Sequence, residues 1–272
     1  MTKRILILGA SGTVGSAIFK QLSLEDENLK VFGTYFSSAP KISSVMINFS
    51  VEAPDSIFPI LDQAHPDIVI SALRGDFDKQ LIAHENIARY LNANNGKLIY
   101  FSTANVFDGN LSRPHYETDA RNSVSDYGQF KIQCEDLLRN QMGDKTILIR
   151  LPFVWGKNSP RLKAVKDGCE KGQLEVYTNF FSNHVSDMQI AQAIQWIIRE
   201  DKDGIFHIGT SDVVNYQYFT EQLITEMNLN PPEFVYRKNP GTMALLSSRT
   251  DIPDRLGLSS QMLIRYLCSR TY

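Results

Sequence analysis

Short apolar blocks recur along the first half of the chain, each followed by a glycine-containing or polar break. They are Ile5–Leu8, Lys30–Thr34, Val45–Asn48, Ile68–Ala72, Lys97–Thr103 and Thr146–Leu151. Ile5-Leu-Ile-Leu8 shows no polar alternation, the mark of a strand covered on both faces, as in a parallel sheet. Between the blocks lie segments of helical period: the run after Gly15, Pro54 to Ala64, about Asp78 to Asn94 (stopped by Asn94-Asn-Gly96), and about Asp126 to Gln141. This βαβ order predicts an α/β fold, a doubly wound parallel (Rossmann) sheet. Beyond Pro152 the pattern loosens. Helices are expected near 161–170, 187–199, 216–227 (capped by Asn215) and 261–268, with short strands near 174–177 and 205–208. The segment from Asn228 onward contains Pro231-Pro232 and Pro240-Gly241 ahead of the last helix. The expected organisation is a dinucleotide-binding core over 1–155. A smaller C-terminal substrate lobe over 156–272 follows, some of its segments returning to the core.

Composition narrows the function classes. With 28 basic and 30 acidic residues in 272, a formal charge of -2 and no basic run, nucleic acid and anionic membranes are not expected partners. No apolar stretch approaches membrane-spanning length, and the first residues read as a strand rather than a signal peptide. Cys134, Cys169 and Cys268 are widely spaced and outside any C-x-x-C pattern, as expected of reduced thiols in a cytoplasmic protein. The five histidines show no metal-ligand spacing, so no metal is expected.

Candidate chemistry begins at Gly9-Ala-Ser-Gly12-Thr-Val-Gly15. Gly9 permits a tight turn, Gly12 a close approach of an anion to the backbone, and Gly15 close helix–strand packing. The helix that follows would present free N–H groups and a positive dipole end to a diphosphate. No Lys-Ser or Lys-Thr follows the third glycine, which argues against a triphosphate loop. No carboxylate lies between Val31 and Asn48, where an NAD site usually holds the adenosine ribose. Ser37, Ser38 and Lys41 could instead meet a 2′-phosphate, which favours NADP over NAD. The end of the fourth strand, Ser71-Ala72-Leu73, would lie along the cofactor edge.

Tyr127 and Lys131 are four residues apart, on one face of the expected helix. A phenol with pKa ~10 is a poor acid at neutral pH, and a neighbouring ammonium lowers that value and suits it to acid–base work on a carbonyl. Ser102 or Thr103, at the end of the preceding strand, could orient the reacting oxygen. The polar loop from Asn105 to Ser125 is long enough to be functional, and its Glu117 and Asp119 could contact substrate hydroxyls but read rather as solvated. Trp155 and Trp196 taken alone read as core residues.

Five motifs in order carry a family resemblance: Gly9–Gly15, Ser102-Thr-Ala-Asn-Val-Phe-Asp-Gly109, Pro114-His-Tyr-Glu-Thr-Asp119, Tyr127-Gly-Gln-Phe-Lys131 and Arg150-Leu-Pro-Phe-Val-Trp-Gly156. The chain resembles the extended short-chain dehydrogenase/reductases, closest to the dTDP-4-dehydrorhamnose reductase group, well over 3–187 and thinly after Tyr236. The resemblance implies reduction of a carbonyl on a nucleotide-activated deoxysugar with NADPH (NADH being possible). Thr103, Tyr127 and Lys131 take the catalytic positions. Gly9, Ser11, Gly12, Thr13, Val14 and Gly15 take the diphosphate turn; Ser71, Ala72, Leu73 and Ser102 the cofactor edge; Pro152, Phe153 and Val154 the nicotinamide loop. Asn105, Val106, Phe107 and Trp155 fall at substrate positions, and Asn86 at a structural one. Ala104-Asn105 replaces the acidic pair a sugar 4,6-dehydratase needs, which argues against elimination. A sugar-nucleotide 4-epimerase with bound NAD is one alternative. Another is a non-catalytic NADP-binding regulatory subunit similar to the β subunit of methionine adenosyltransferase. The oligomeric state is left open, a homodimer being one option.

Overall fold

The computed structural model describes residues 2–25, 28–37 and 45–269. Ser38 and Lys41, two of the residues expected at a 2′-phosphate, lie outside them. The chain forms two compact units, the first made of 1–102, 129–149 and 190–206, the second of 103–128, 150–189 and 207–272. The division does not fall at residue 155. The polar loop after the fifth strand belongs to the second unit, and most of the helix starting at Asp187 belongs to the first.

The elements of the N-terminal half are β1 (Lys3–Leu8), α1 (Thr13–Glu25), β2 (Leu29–Tyr35), β3 (Met46–Asn48), α2 (Ile57–Ala64), β4 (Ile68–Ser71), α3 (Phe77–Ala93), β5 (Lys97–Thr103), α4 (Asp126–Met142) and β6 (Thr146–Leu151). They are followed by β7 (Phe153–Trp155), α5 (Pro160–Lys171), β8 (Gln173–Ser182), β9 (His184–Ser186), α6 (Asp187–Arg199), β10 (Ile205–His207), β11 (Val214–Asn215), α7 (Tyr216–Glu226), β12 (Glu233–Met243) and α8 (Ser260–Cys268). A seven-stranded sheet has the order β3-β2-β1-β4-β5-β6-β10, and the pairings from β3 to β5 are all parallel. Ile5 to Leu8 are fully covered, which explains the unbroken apolar run of β1. Strand order reverses between β1 and β4. Ligands of open α/β sheets bind at the carboxyl ends of strands flanking such a point.

In the second unit β8 pairs in parallel with β12 and antiparallel with β11, while β7 pairs with β9. Its core gathers Trp155, Leu162, Phe219, Leu223, Leu263 and Leu267. Asn215 caps α7 through its side chain, as expected. The strand β12 is not among the elements expected from sequence. It stands at the edge of its sheet, with a register shift between Lys238 and Gly241 that accommodates Pro240. Among the described residues, no helix is long and apolar enough to cross a membrane, and no group of three His, Cys, Asp or Glu could hold a metal ion.

Candidate active-site residues

The glycine turn follows β1 at the reversal point of the sheet. Gly9 has φ +77°, and a Cβ there would stand 2.7 Å from the carbonyl oxygen of Ala72, at the end of β4. The turn closes through Gly12 N–H to Gly9 O at 3.0 Å, and the Thr34 hydroxyl accepts Gly9 N–H at 2.9 Å. At Gly15 a Cβ would lie 2.2 Å from Gly9 O, so only hydrogen lets α1 start this close to β1. Ser11 and Gly12 are exposed, Thr13 and Val14 half-buried, and the first turn of α1 carries no acidic residue. A free helix N-terminus beside bare backbone fits a diphosphate. One further observation fits a bound group: Ser102 Oγ, at the end of β5, is buried with no hydrogen-bond partner among the described residues. Of the expected 2′-phosphate contacts, Ser37 is exposed just after β2.

The Ser71 hydroxyl is engaged within the protein. The residue is 1% exposed, and its Oγ lies 2.8 Å from His84 Nε2. The other ring nitrogen of His84 faces Gln80 O at 2.6 Å and so carries the proton, leaving Nε2 to accept from Ser71. Burial, reinforced by the charge of Lys131, drives His84 down to about 3, so the imidazole is neutral. Along this edge Ala72 and Leu73 are the half-buried residues.

Lys131 lies almost wholly beneath the surface on α4. Its ammonium donates to Tyr100 Oη at 3.0 Å and Phe101 O at 2.9 Å, both on β5, and sits 4.6 Å from the centre of the Tyr100 ring. Burial pulls its pKa down to about 8; Cys134 and Glu135 oppose the shift and Arg74 adds to it. At neutral pH it remains mostly protonated. Tyr127 begins the same helix one turn earlier and is 42% exposed.

Thr103, Asn105 and Tyr127 lie in the segment 103–128 of the second unit. Thr103 Oγ1 caps a single 3-10 turn over Ala104–Phe107, bonding Asn105 N–H at 3.3 Å and Asn105 Oδ1 at 3.1 Å. Val106 (0% exposed), Phe107 (2%) and Trp155 (0%), expected at substrate positions, are covered by protein. Phe107 stacks on His115 with ring centres 4.5 Å apart, and Trp155 Nε1 donates to His184 Nδ1 at 3.0 Å. Phe153 and Val154 are half-buried and Pro152 is buried; the Arg161 guanidinium lies 4.5 Å from the Phe153 ring.

Glu117 is not solvated. It is 8% exposed and accepts from Ser247 Oγ, Ser248 N–H (2.9 Å), Ser248 Oγ (3.0 Å) and His207 N–H (3.2 Å), fastening the loop to the segment after β12. Asp119 pairs with Arg113 at 2.8 Å and accepts Tyr116 N–H at 2.9 Å, another structural role. Asn86 donates to Asp55 at 2.9 Å. A cavity of about 300 Å³ in the second unit, lined by Tyr116, His207, Thr210, Ser247 and Arg249 among others, contains none of the residues expected from sequence.

Residues 3–263 match a family model, the RmlD substrate binding domain. The chain is 29% identical over 165 residues to methionine adenosyltransferase 2 subunit beta from Bos taurus, covering 57% of this chain and 48% of that protein. The match thus spans about half the length of that relative. Over 245 residues it is 24% identical to a dTDP-4-dehydrorhamnose reductase from Aggregatibacter actinomycetemcomitans, covering 82% of this chain and 79% of the other. The fold is that of a dTDP-4-dehydrorhamnose reductase from Bacillus anthracis solved in complex with NADP. The TM-score is 0.80 at 16% identity, with 98% of this chain and 99% of that one covered.

Proposed function

The chain belongs to the RmlD substrate binding domain family, and from that premise we propose that it is an NADP-preferring oxidoreductase that reduces a carbonyl on a nucleotide-activated deoxysugar. The observation that carries the reading is the pair on α4. An ammonium is held beneath the surface by Tyr100 and Phe101, one helical turn from a phenol that is 42% exposed. A buried cation is costly to a fold, and groups perturbed in this way cluster at functional sites.

In this reading the N–H groups at the start of α1 hold the diphosphate, and Ser102 Oγ finds its missing partner in the bound group. The missing carboxylate after β2 and the exposed Ser37 support NADP. A nicotinamide bound there would supply the hydride to the carbonyl carbon. Tyr127 gives its proton to the carbonyl oxygen, and the phenolate that remains is stabilised by Lys131 until solvent reprotonates it. Thr103 hydrogen-bonds the reacting oxygen once that oxygen carries the proton, and the second unit takes the sugar nucleotide. The test is incubation with NADPH and a panel of 4-keto nucleotide sugars, following absorbance of the reduced nicotinamide. Turnover that disappears in Tyr127→Phe supports the proposal, and its absence with every sugar sinks it.

A second reading is favoured by the relatives of higher identity, which are named as the beta subunit of methionine adenosyltransferase 2. The chain would then bind the dinucleotide as the partner of a synthetase. NADPH binding without reduction, together with copurification of a synthetase, would select it.

A further inference from the structure

We propose that Asp108 is a positioning residue that fixes the direction of two hydroxyl protons, those of Thr103 and Ser125, and so prepares both ends of the segment that carries Thr103 and Tyr127. The inference rests on the roles given above to those two residues. Asp108 gathers four donors from its own loop. Oδ1 accepts from Ser123 Oγ at 2.8 Å and Val124 N–H at 2.7 Å. Oδ2 accepts from Ser125 Oγ and from Asn105 Nδ2 at 3.5 Å. Burial alone would raise its pKa, but the bonds from Ser125, Val124 and Ser123 outweigh it and hold the carboxyl below the usual carboxylate range.

A carboxylate only accepts, and this settles the polarity of everything attached to it. Asn105 must turn its NH2 toward Asp108, so its Oδ1 faces Thr103 Oγ1, 3.1 Å away. That oxygen also only accepts, so the Thr103 proton points at Asn105. Thr103 therefore offers the reacting oxygen a lone pair. It receives the O–H of the alcohol once Tyr127 has delivered its proton, and does not itself protonate the carbonyl. On the other arm the Ser125 proton points at Asp108, which leaves its lone pair to accept Gly128 N–H at 3.2 Å. That bond caps the first turn of α4, the turn that bears Tyr127. The shared product of Asn105, Asp108 and Ser125 is the orientation of the two hydroxyls.

The test is Asp108→Asn, which keeps the shape and introduces a donor where only acceptors stood. We expect kcat to fall by about 10- to 100-fold, the scale of a lost orientation, with KM and the NADPH dissociation constant within about twofold. Hydrogen exchange at the Asn105 and Gly128 amides should speed up by about tenfold or more in the cofactor-free protein, with β1 amides unchanged. Ser125→Ala should accelerate Gly128 and leave Asn105 alone, and it carries the test if Asp108→Asn does not fold. A variant with wild-type kcat, or with reduced kcat but unaltered exchange at both amides, overturns the proposal. Should the wild type turn over no keto sugar, the proposed function fails by itself. The exchange pattern then still decides whether Asp108 orders the loop.

Discussion

Lys131 makes the stability of this protein depend on pH in a direction opposite to that of a lysine in a surface ion pair. Its ammonium lies under the surface and its folded-state pKa is about 8 against an ordinary value of 10.5. The unfolded chain thus binds the proton more tightly than the folded one, and folding stability must rise with pH between about 8 and 10.5. Below that window both states are protonated and the whole penalty stands. At 1.36 kcal/mol per tenfold in proton affinity it amounts to about 3 kcal/mol. Replacing Lys131 by Met removes the titrating group, so the stability difference between wild type and Lys131→Met isolates it from every other ionisation. Urea unfolding of the two proteins at about pH 7 and about pH 10 should show wild type gaining on the variant by about 2 kcal/mol. The same ionisation should make turnover decline above about pH 8, as the charge that assists Tyr127 is lost. A difference constant to within about 0.5 kcal/mol across the range would mean that Lys131 titrates as if in water, and the argument from its burial would fail.

Other residues give independent checks. Gly15→Ala would force a Cβ to 2.2 Å from Gly9 O, a backbone atom that cannot turn aside, so α1 must shift. Losing one charge-assisted bond from its N-terminus should weaken NADPH binding by about 10- to 100-fold in a fluorescence titration, and an unchanged affinity would place the diphosphate elsewhere. For Glu117, burial alone raises the pKa, but the bonds from Ser247 and Ser248 and the charge of His207 bring it below the usual range. Its stabilisation is therefore present above the ordinary glutamate range and lost as pH falls through the folded value. Glu117→Gln should cost about 1–3 kcal/mol in neutral urea titrations and flatten that acid-side loss. Trp155→Phe leaves His184 Nδ1 without its donor. The expected result is a cost of about 1–3 kcal/mol with KM within about twofold, whereas a large rise in KM would return Trp155 to the substrate.

The parallel sheet was legible because burial on both faces leaves its mark on single strands: Ile5–Leu8 and Thr146–Leu151 are apolar or fully covered throughout. The turn at Gly9–Gly15 was legible because only glycine satisfies its φ and its helix contact. The edge strand β12 was hidden by Pro240, which an edge tolerates and an interior strand does not. Side-chain roles were harder to read, since a motif fixes position along the chain but not exposure. Trp155, Phe107 and Val106 occupy motif positions yet face the core. Ser71 stands at the strand end as expected, with a hydroxyl spent on His84. Glu117 looked solvated because its partners, Ser247 and Ser248, lie about 130 residues away, and no local pattern announces them. The hub at Asp108 left a local trace, the two hydroxyl residues Ser123 and Ser125 together with Asn105, but polar loops of that composition are common.

The central claim is that Tyr127 protonates a sugar carbonyl as it is reduced. It is tested most directly by mixing the protein with NADPH and a 4-keto nucleotide sugar and comparing wild type with Tyr127→Phe. The wild type should oxidise NADPH, and the variant should lose at least about 100-fold in turnover at unchanged NADPH affinity. Equal turnover in the two proteins would contradict it.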